Sequence, residues 1–93
     1  MNISFDEKTA LKLREYADSS VYKAIRIKVL ARGCGKPALG IFSDEQREDD
    51  TTVNIGGIKF LSDKSEEIYL KNVEILYSEN YVNNGFYVRS INL

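Results

Sequence analysis

The one cysteine of the chain, Cys34, stands between Gly33 and Gly35 in "ARGCGKPALG", with Arg32 and Lys36 two residues away on either side. A thiolate is the soft ligand that iron and iron–sulfur units select, and carboxylates replace it poorly. Glycine on each side lets the backbone adopt positive φ and approach a ligand closely, while offering N–H groups to an anion. The two flanking cations would favour the thiolate over the thiol. Cys34 is therefore the candidate metal ligand, and Gly33 and Gly35 the candidate cofactor-binding backbone around it. The competing reading is a small buried hydrophobe, the commonest role of a lone free cysteine. One thiol cannot complete a four-thiolate site. Two chains would supply two, leaving another thiol or an oxygen ligand to finish the coordination, so a permanently held cluster is not expected and any ligation through Cys34 would be transient.

Other chemistries are narrowed by composition. The chain has no histidine, which removes the usual general base, the Cys–His pair and any Ser/His/Asp triad. A thiol-based enzyme or redox sensor would also lack a resolving cysteine. The run "DEQREDD" gathers Asp44, Glu45, Glu48, Asp49 and Asp50. It lacks the central glycine and terminal glutamate of an EF-hand loop, and it reads as a solvated acidic loop able to face a basic partner. Tyr69, Tyr77, Tyr81 and Tyr87 are expected in packing, because base-stacking platforms sit in basic grooves and the net charge here is −1. No nucleic-acid partner is expected. The sequence has no apolar run near the length of a membrane span and begins without a signal-peptide core, so a cytoplasmic protein with no membrane partner is expected.

The elements that must position Cys34 follow from periodicity. Ninety-three residues make one domain, 1–93. Ser4 with Glu7, or Asp6 alone, caps a first helix whose Ala10, Leu13 and Ala17 share a face. In "VYKAIRIKVLA" the period becomes two: Ile25, Ile27 and Val29 face one way, and Ala24, Arg26 and Lys28 the other, as in a half-buried strand. The cysteine loop follows directly. "LGIF", "TVNI", "IKFL", "VEILY" and "FYVRSI" read as further strands, with Gly56-Gly57 as a hairpin turn. "DKSEEIYL" reads as a short second helix capped by Ser62 or Asp63. The expected fold is a β-rich α+β domain of about six short mixed strands in two layers, with an N-terminal helix.

The order of these pieces resembles the HesB-like domain of A-type iron–sulfur carriers, the IscA-related family. The residues that carry the resemblance are Gly33-Cys34-Gly35 after an alternating strand, the segment Gly57 to Leu70 ("GIKFLSDKSEEIYL"), and Gly85-Phe86 with Asn92. The family's further Cys-Gly-Cys motif has no counterpart in these 93 residues, and Gly35-Lys36 stands where the family tends to have Ser-Gly. The resemblance implies an accessory, carrier or scaffold protein of iron–sulfur cluster biogenesis and not an enzyme. It also implies protein partners of iron–sulfur assembly, and it allows a homodimer. The alternative is a degenerate HesB-like interaction module that binds a protein or small ligand and no metal.

Overall fold

The computed structural model describes residues 1–33, 35–82 and 84–91. Two sheets and one helix share a single hydrophobic core. The chain opens with β1 (Asn2–Ser4), then α1 (Glu7–Asp18), β2 (Ile25–Ala31), β3 (Ala38–Ser43), β4 (Thr51–Ile55) and β5 (Ile58–Ser62). A 3-10 turn over Lys64–Tyr69 leads to β6 (Asn72–Tyr77) and β7 (Phe86–Ser90). One sheet has the order β3-β2-β5-β4 and the other β1-β6-β7.

Local chemistry accounts for most of these elements. Asp6 is the N-cap of α1, its carboxylate accepting from the Thr9 N–H at 2.8 Å. Ser4 instead lies in β1, so the alternative capping box does not form. Ala10, Leu13 and Ala17 are buried as their spacing requires. Gly56 and Gly57 both have positive φ and close the β4–β5 hairpin, which keeps Ile55 opposite Ile58. Ile25 and Ile27 of β2, Leu39 and Ile41 of β3, and Ile58 and Phe60 of β5 meet Val73 and Ile75 of β6 and Phe86 and Val88 of β7. Alternate residues of each strand thus meet across the two layers.

Three features differ from the sequence reading. Among the described residues there are seven strands rather than about six, because Asn2–Ser4 pairs in parallel with Asn72–Glu74. The second helix is a 3-10 turn, and the side chain of Asp63 at its N-cap position does not cap it. Arg26, which alternation assigns to the solvent side of a half-buried strand, is 1% exposed. Its face of the sheet is covered by the segment between β3 and β4, the acidic run read as a solvated loop.

Candidate metal-ligand loop and its supports

β2 carries one charged device near its start and another just past its end. At the start, the five N–H groups of the Arg26 guanidinium make five hydrogen bonds. Nε donates to Asp44 Oδ2 at 2.6 Å; Nη1 donates to Asp50 Oδ1 at 2.9 Å and Asp63 Oδ1 at 2.8 Å. Nη2 donates to Asp50 Oδ2 at 2.6 Å and to the Glu45 carbonyl at 3.2 Å. Asp50 therefore holds the guanidinium in the two-pronged geometry that suits a planar fork. Arg47 closes the ring, its N–H donating to Asp50 at 2.7 Å and its guanidinium to Asp44 at 3.2 Å.

The electrostatics follow from this geometry. The hydrogen bond from Arg26 holds the Asp50 carboxyl below its ordinary range despite opposing desolvation. For Asp44, burial raises the pKa, but Arg26 and the Glu45 N–H outweigh it and the net direction is down. Arg26 is raised in turn, chiefly by Asp50. Asp44 and Asp50 are thus committed to Arg26, while Glu45, Glu48 and Asp49 remain exposed. The acidic run is half structural and half solvated.

The network extends along β2 toward the cysteine loop. Lys28 forms an ion pair with Asp63 and another with Glu66 at 3.4 Å. Glu66 also accepts from the Val29 N–H at 3.1 Å. Beyond Val29 the β2–β3 register shifts, so that Ala31 rather than Leu30 lies opposite Ala38. A bulge of this kind re-aims the strand end. From there, Arg32 donates from Nη1 to Tyr69 Oη at 3.0 Å, and its guanidinium carbon lies 5.2 Å from the Tyr69 ring centroid. Arg32, Gly33, Gly35, Pro37 and Tyr69 enclose a hollow of about 130 Å³.

Cys34 itself lies outside the described residues, as does Asn92. Gly33 and Gly35 are exposed, and Gly35 has φ +99°, which glycine alone adopts without strain. A Cβ added at either glycine would have nothing within 4 Å. Among the described residues no group of three or more His, Cys, Asp or Glu side chains is arranged to hold a metal ion. The acidic run therefore offers no metal site, and the other sequence candidate is the cysteine loop.

Sequence reasoning missed Tyr69 as a neighbour of that loop. It lies in the 3-10 turn, 37 positions from Arg32, and no local pattern links the two. Its companions follow the packing expectation: Tyr77 stacks edge-on against Phe86 at 5.3 Å, and Tyr81 lies 5.7 Å from Tyr87. Near the end of β2, Leu30, Gly40, Phe42, Tyr81, Val82 and Tyr87 border an apolar cleft of about 450 Å³.

The architecture is that of a small two-sheet α+β domain. It superposes on the crystal structure of Escherichia coli SufA, a protein involved in biosynthesis of iron–sulfur clusters, with a TM-score of 0.75 at 17% identity. That match covers 99% of this chain and 82% of the other, and at this identity it speaks for the fold. The profile of the family described as "Iron-sulphur cluster biosynthesis" matches residues 1–93, and the chain belongs to that family. It is 29% identical over 93 residues to the "Iron-sulfur cluster insertion protein ErpA" of Stenotrophomonas maltophilia (strain R551-3), covering 97% of this chain and 72% of the relative. It is 28% identical over 88 residues to the "Iron-binding protein IscA" of Proteus mirabilis (strain HI4320), covering 92% and 82%. The family resemblance read from the motifs is thereby borne out. Among the described residues, no helix is long and apolar enough to cross a membrane.

Proposed function

We propose that this protein is a carrier or accessory scaffold of iron–sulfur cluster biogenesis, a cytoplasmic protein that conveys iron or a cluster to recipient proteins and catalyses no reaction of its own. Iron or the cluster is cargo here, held through Cys34 and released, not a resident group. The observation that carries this reading is the full-length family match, with the chain's one thiol falling in the glycine-flanked loop at the end of β2. The names of the two relatives, an insertion protein and an iron-binding protein, agree with it.

The donor set explains why the ligation is transient. A single thiolate binds iron or a cluster with most coordination positions left to other molecules. A second copy of the chain would bring a second Cys34, and a small thiol or an oxygen ligand would complete the set. A cargo held by so few protein ligands exchanges readily, which is what transfer requires.

The test is anaerobic reconstitution of the purified protein with ferrous iron, sulfide and a small thiol, read by visible absorption and iron content. Charge-transfer bands and bound iron are expected in the wild type and absent from Cys34→Ser. A colourless, iron-free wild type would end the carrier reading. A second reading, an interaction module without metal, is favoured by one observation: exposed Leu30, Phe42, Tyr81, Val82 and Tyr87 border one cleft, and grouped exposed apolar side chains mark protein-binding surfaces. Capture of the same iron–sulfur assembly proteins by wild type and Cys34→Ser alike, with iron bound by neither, would favour it.

A further inference from the structure

Five of the nine large apolar side chains exposed among the described residues border one cleft: Leu30, Phe42, Tyr81, Val82 and Tyr87. The other four lie on α1, in the turn after it and in the 3-10 turn. Apolar side chains exposed singly call for no explanation, whereas a grouped set marks a surface that something covers.

The shape of this face is set by the packing beneath it. Its floor is the seam between β3 and β7, where Ile41 and Val88 are buried. Leu30 lies directly over Gly40, where an added Cβ would come within 2.7 Å of Leu30 Cδ1. The missing side chain of Gly40 therefore seats Leu30 along the rim. Tyr81 and Tyr87 brace each other, their ring centroids 5.7 Å apart. No charged side chain is among the residues that line the cleft. Beside it stands a knob: Val82, in the connection between β6 and β7, is fully exposed. Two backbone bonds hold that connection near it, from Tyr81 N–H to the Ser78 carbonyl at 3.0 Å and from Asn84 N–H to the Val82 carbonyl at 3.1 Å.

One face thus carries both an apolar projection and an apolar hollow. Such a face is complementary to itself under a twofold rotation, and the contact closes at two subunits. The area agrees. The five side chains leave about 500 Å² exposed, and a stable interface buries about 800 Å² on each partner, a little over half of it apolar. Homodimer interfaces are also more apolar than those between proteins that part and meet again, which suits a cleft without charges.

We propose that this face is the contact between two copies of the chain, a symmetric dimer in which Val82 of each copy enters the cleft bordered by Leu30 and Tyr87 of the other. The contact uses no thiol and no metal, so it is independent of the carrier reading.

Sedimentation velocity of the metal-free full chain, with chelator and reductant present, tests it over concentrations from about 5 to about 300 µM. Wild type is expected to pass from the 10.6 kDa of one chain to twice that mass within this range. Val82→Asp and Leu30→Asp each place a charge in the contact twice, and each is expected to weaken association at least about a hundredfold. Val82 is fully exposed, so its substitution leaves the fold intact, and an unchanged far-ultraviolet circular dichroism spectrum checks this. Leu11→Asp, an equally drastic change on exposed α1 surface, should keep the wild-type mass. A wild type that remains a single chain at about 300 µM overturns the proposal and leaves the cleft to a different protein. A dimer that survives Val82→Asp overturns it as well, because the copies then meet through another surface. Cys34→Ser is expected to dimerise like wild type; a dimer lost in that variant would place the contact at the thiol loop and overturn the assignment. Iron uptake enters none of these readings, so failure here is distinct from failure of the carrier reading.

Discussion

Arg26 and Arg32 lie six residues apart along one stretch of chain, and their surroundings are opposites. Arg26 is buried, and all five of its N–H groups are bonded to three carboxylates and a carbonyl. Arg32 is exposed and is bonded, among the described residues, to one phenol. The first charge is neutralised by the fold, and its field reaches little beyond its partners. The second is positioned by the fold but left uncompensated. A guanidinium beside a site can serve a ligand only if the protein has not already answered it with carboxylates. The comparison therefore separates a charge taken up by the fold from one left facing solvent.

The largest expected effect belongs to the structural end. Arg26→Ala leaves Asp44, Asp50 and Asp63 facing one another without their shared cation. Removing one partner from a buried ion pair costs about 3–5 kcal/mol, because the remaining charges are stranded. A domain of this size has only about 5–15 kcal/mol of stability in all, so urea denaturation should show either a midpoint far below wild type or no folded baseline. A midpoint within about 1 kcal/mol of wild type would mean that the acidic segment is held by something other than Arg26.

Acidification should reach the same network more gently. Asp50 and Asp44 are held below the ordinary carboxylate range, so in the folded state they take up protons at lower pH than in the unfolded chain. Their contribution is fully present above the unfolded value of about 3.9 and is lost as pH falls through the lower folded values. Stability by urea titration should thus be flat on this account from about pH 5 upward and decline below pH 4. Asp50→Asn, with Asp50 4% exposed in the wild type, should start lower by about 2–3 kcal/mol at neutral pH and decline less steeply. An equal acid slope in both proteins would remove Asp50 from the linkage.

Much of the fold was legible because its determinants are local. Asp6 before an Ala10/Leu13/Ala17 stripe, the two glycines at 56 and 57, and the alternation of Ile25, Ile27 and Val29 each act within a few residues. What was illegible depends on residues far apart in the chain. β1 has three residues and exists through its parallel partner some 70 positions away. Arg26 was assigned to a solvent face by alternation, correctly as to side, but its burial depends on a loop folding back over that side. One signal was available. A strand arginine followed within 24 positions by five carboxylates in seven residues can hide a charge-paired lid.

The site divided in the same way. Cys34 and its glycines were visible as a ligand loop because residue type and immediate neighbours suffice to suggest that chemistry. Tyr69, whose hydroxyl accepts from Arg32 beside those glycines, lies 37 positions further along, in the 3-10 turn. Tyr69 was grouped with Tyr77, Tyr81 and Tyr87 as packing, and the grouping is right for Tyr77, which packs against Phe86. Tyr69 lies in the 3-10 turn and not in a strand, and its neighbour is the Arg32 guanidinium.

The smallest expected effect is the sharpest test of the contrast. Arg32→Gln removes an exposed charge whose hydrogen bond water can replace, and exposed ion and cation–π contacts contribute about 0–1 kcal/mol. Its unfolding midpoint should lie within about 0.5 kcal/mol of wild type at neutral pH, and that difference should not grow on acidification, since no carboxylate is paired with Arg32 among the described residues. A loss above about 1.5 kcal/mol would show that the Arg32–Tyr69 contact is part of what holds the two sheets to the 3-10 turn. The two ends of β2 would then differ in degree and not in kind. A near-zero loss would show that the Arg32–Tyr69 contact carries no measurable share of the stability, in contrast to the network around Arg26.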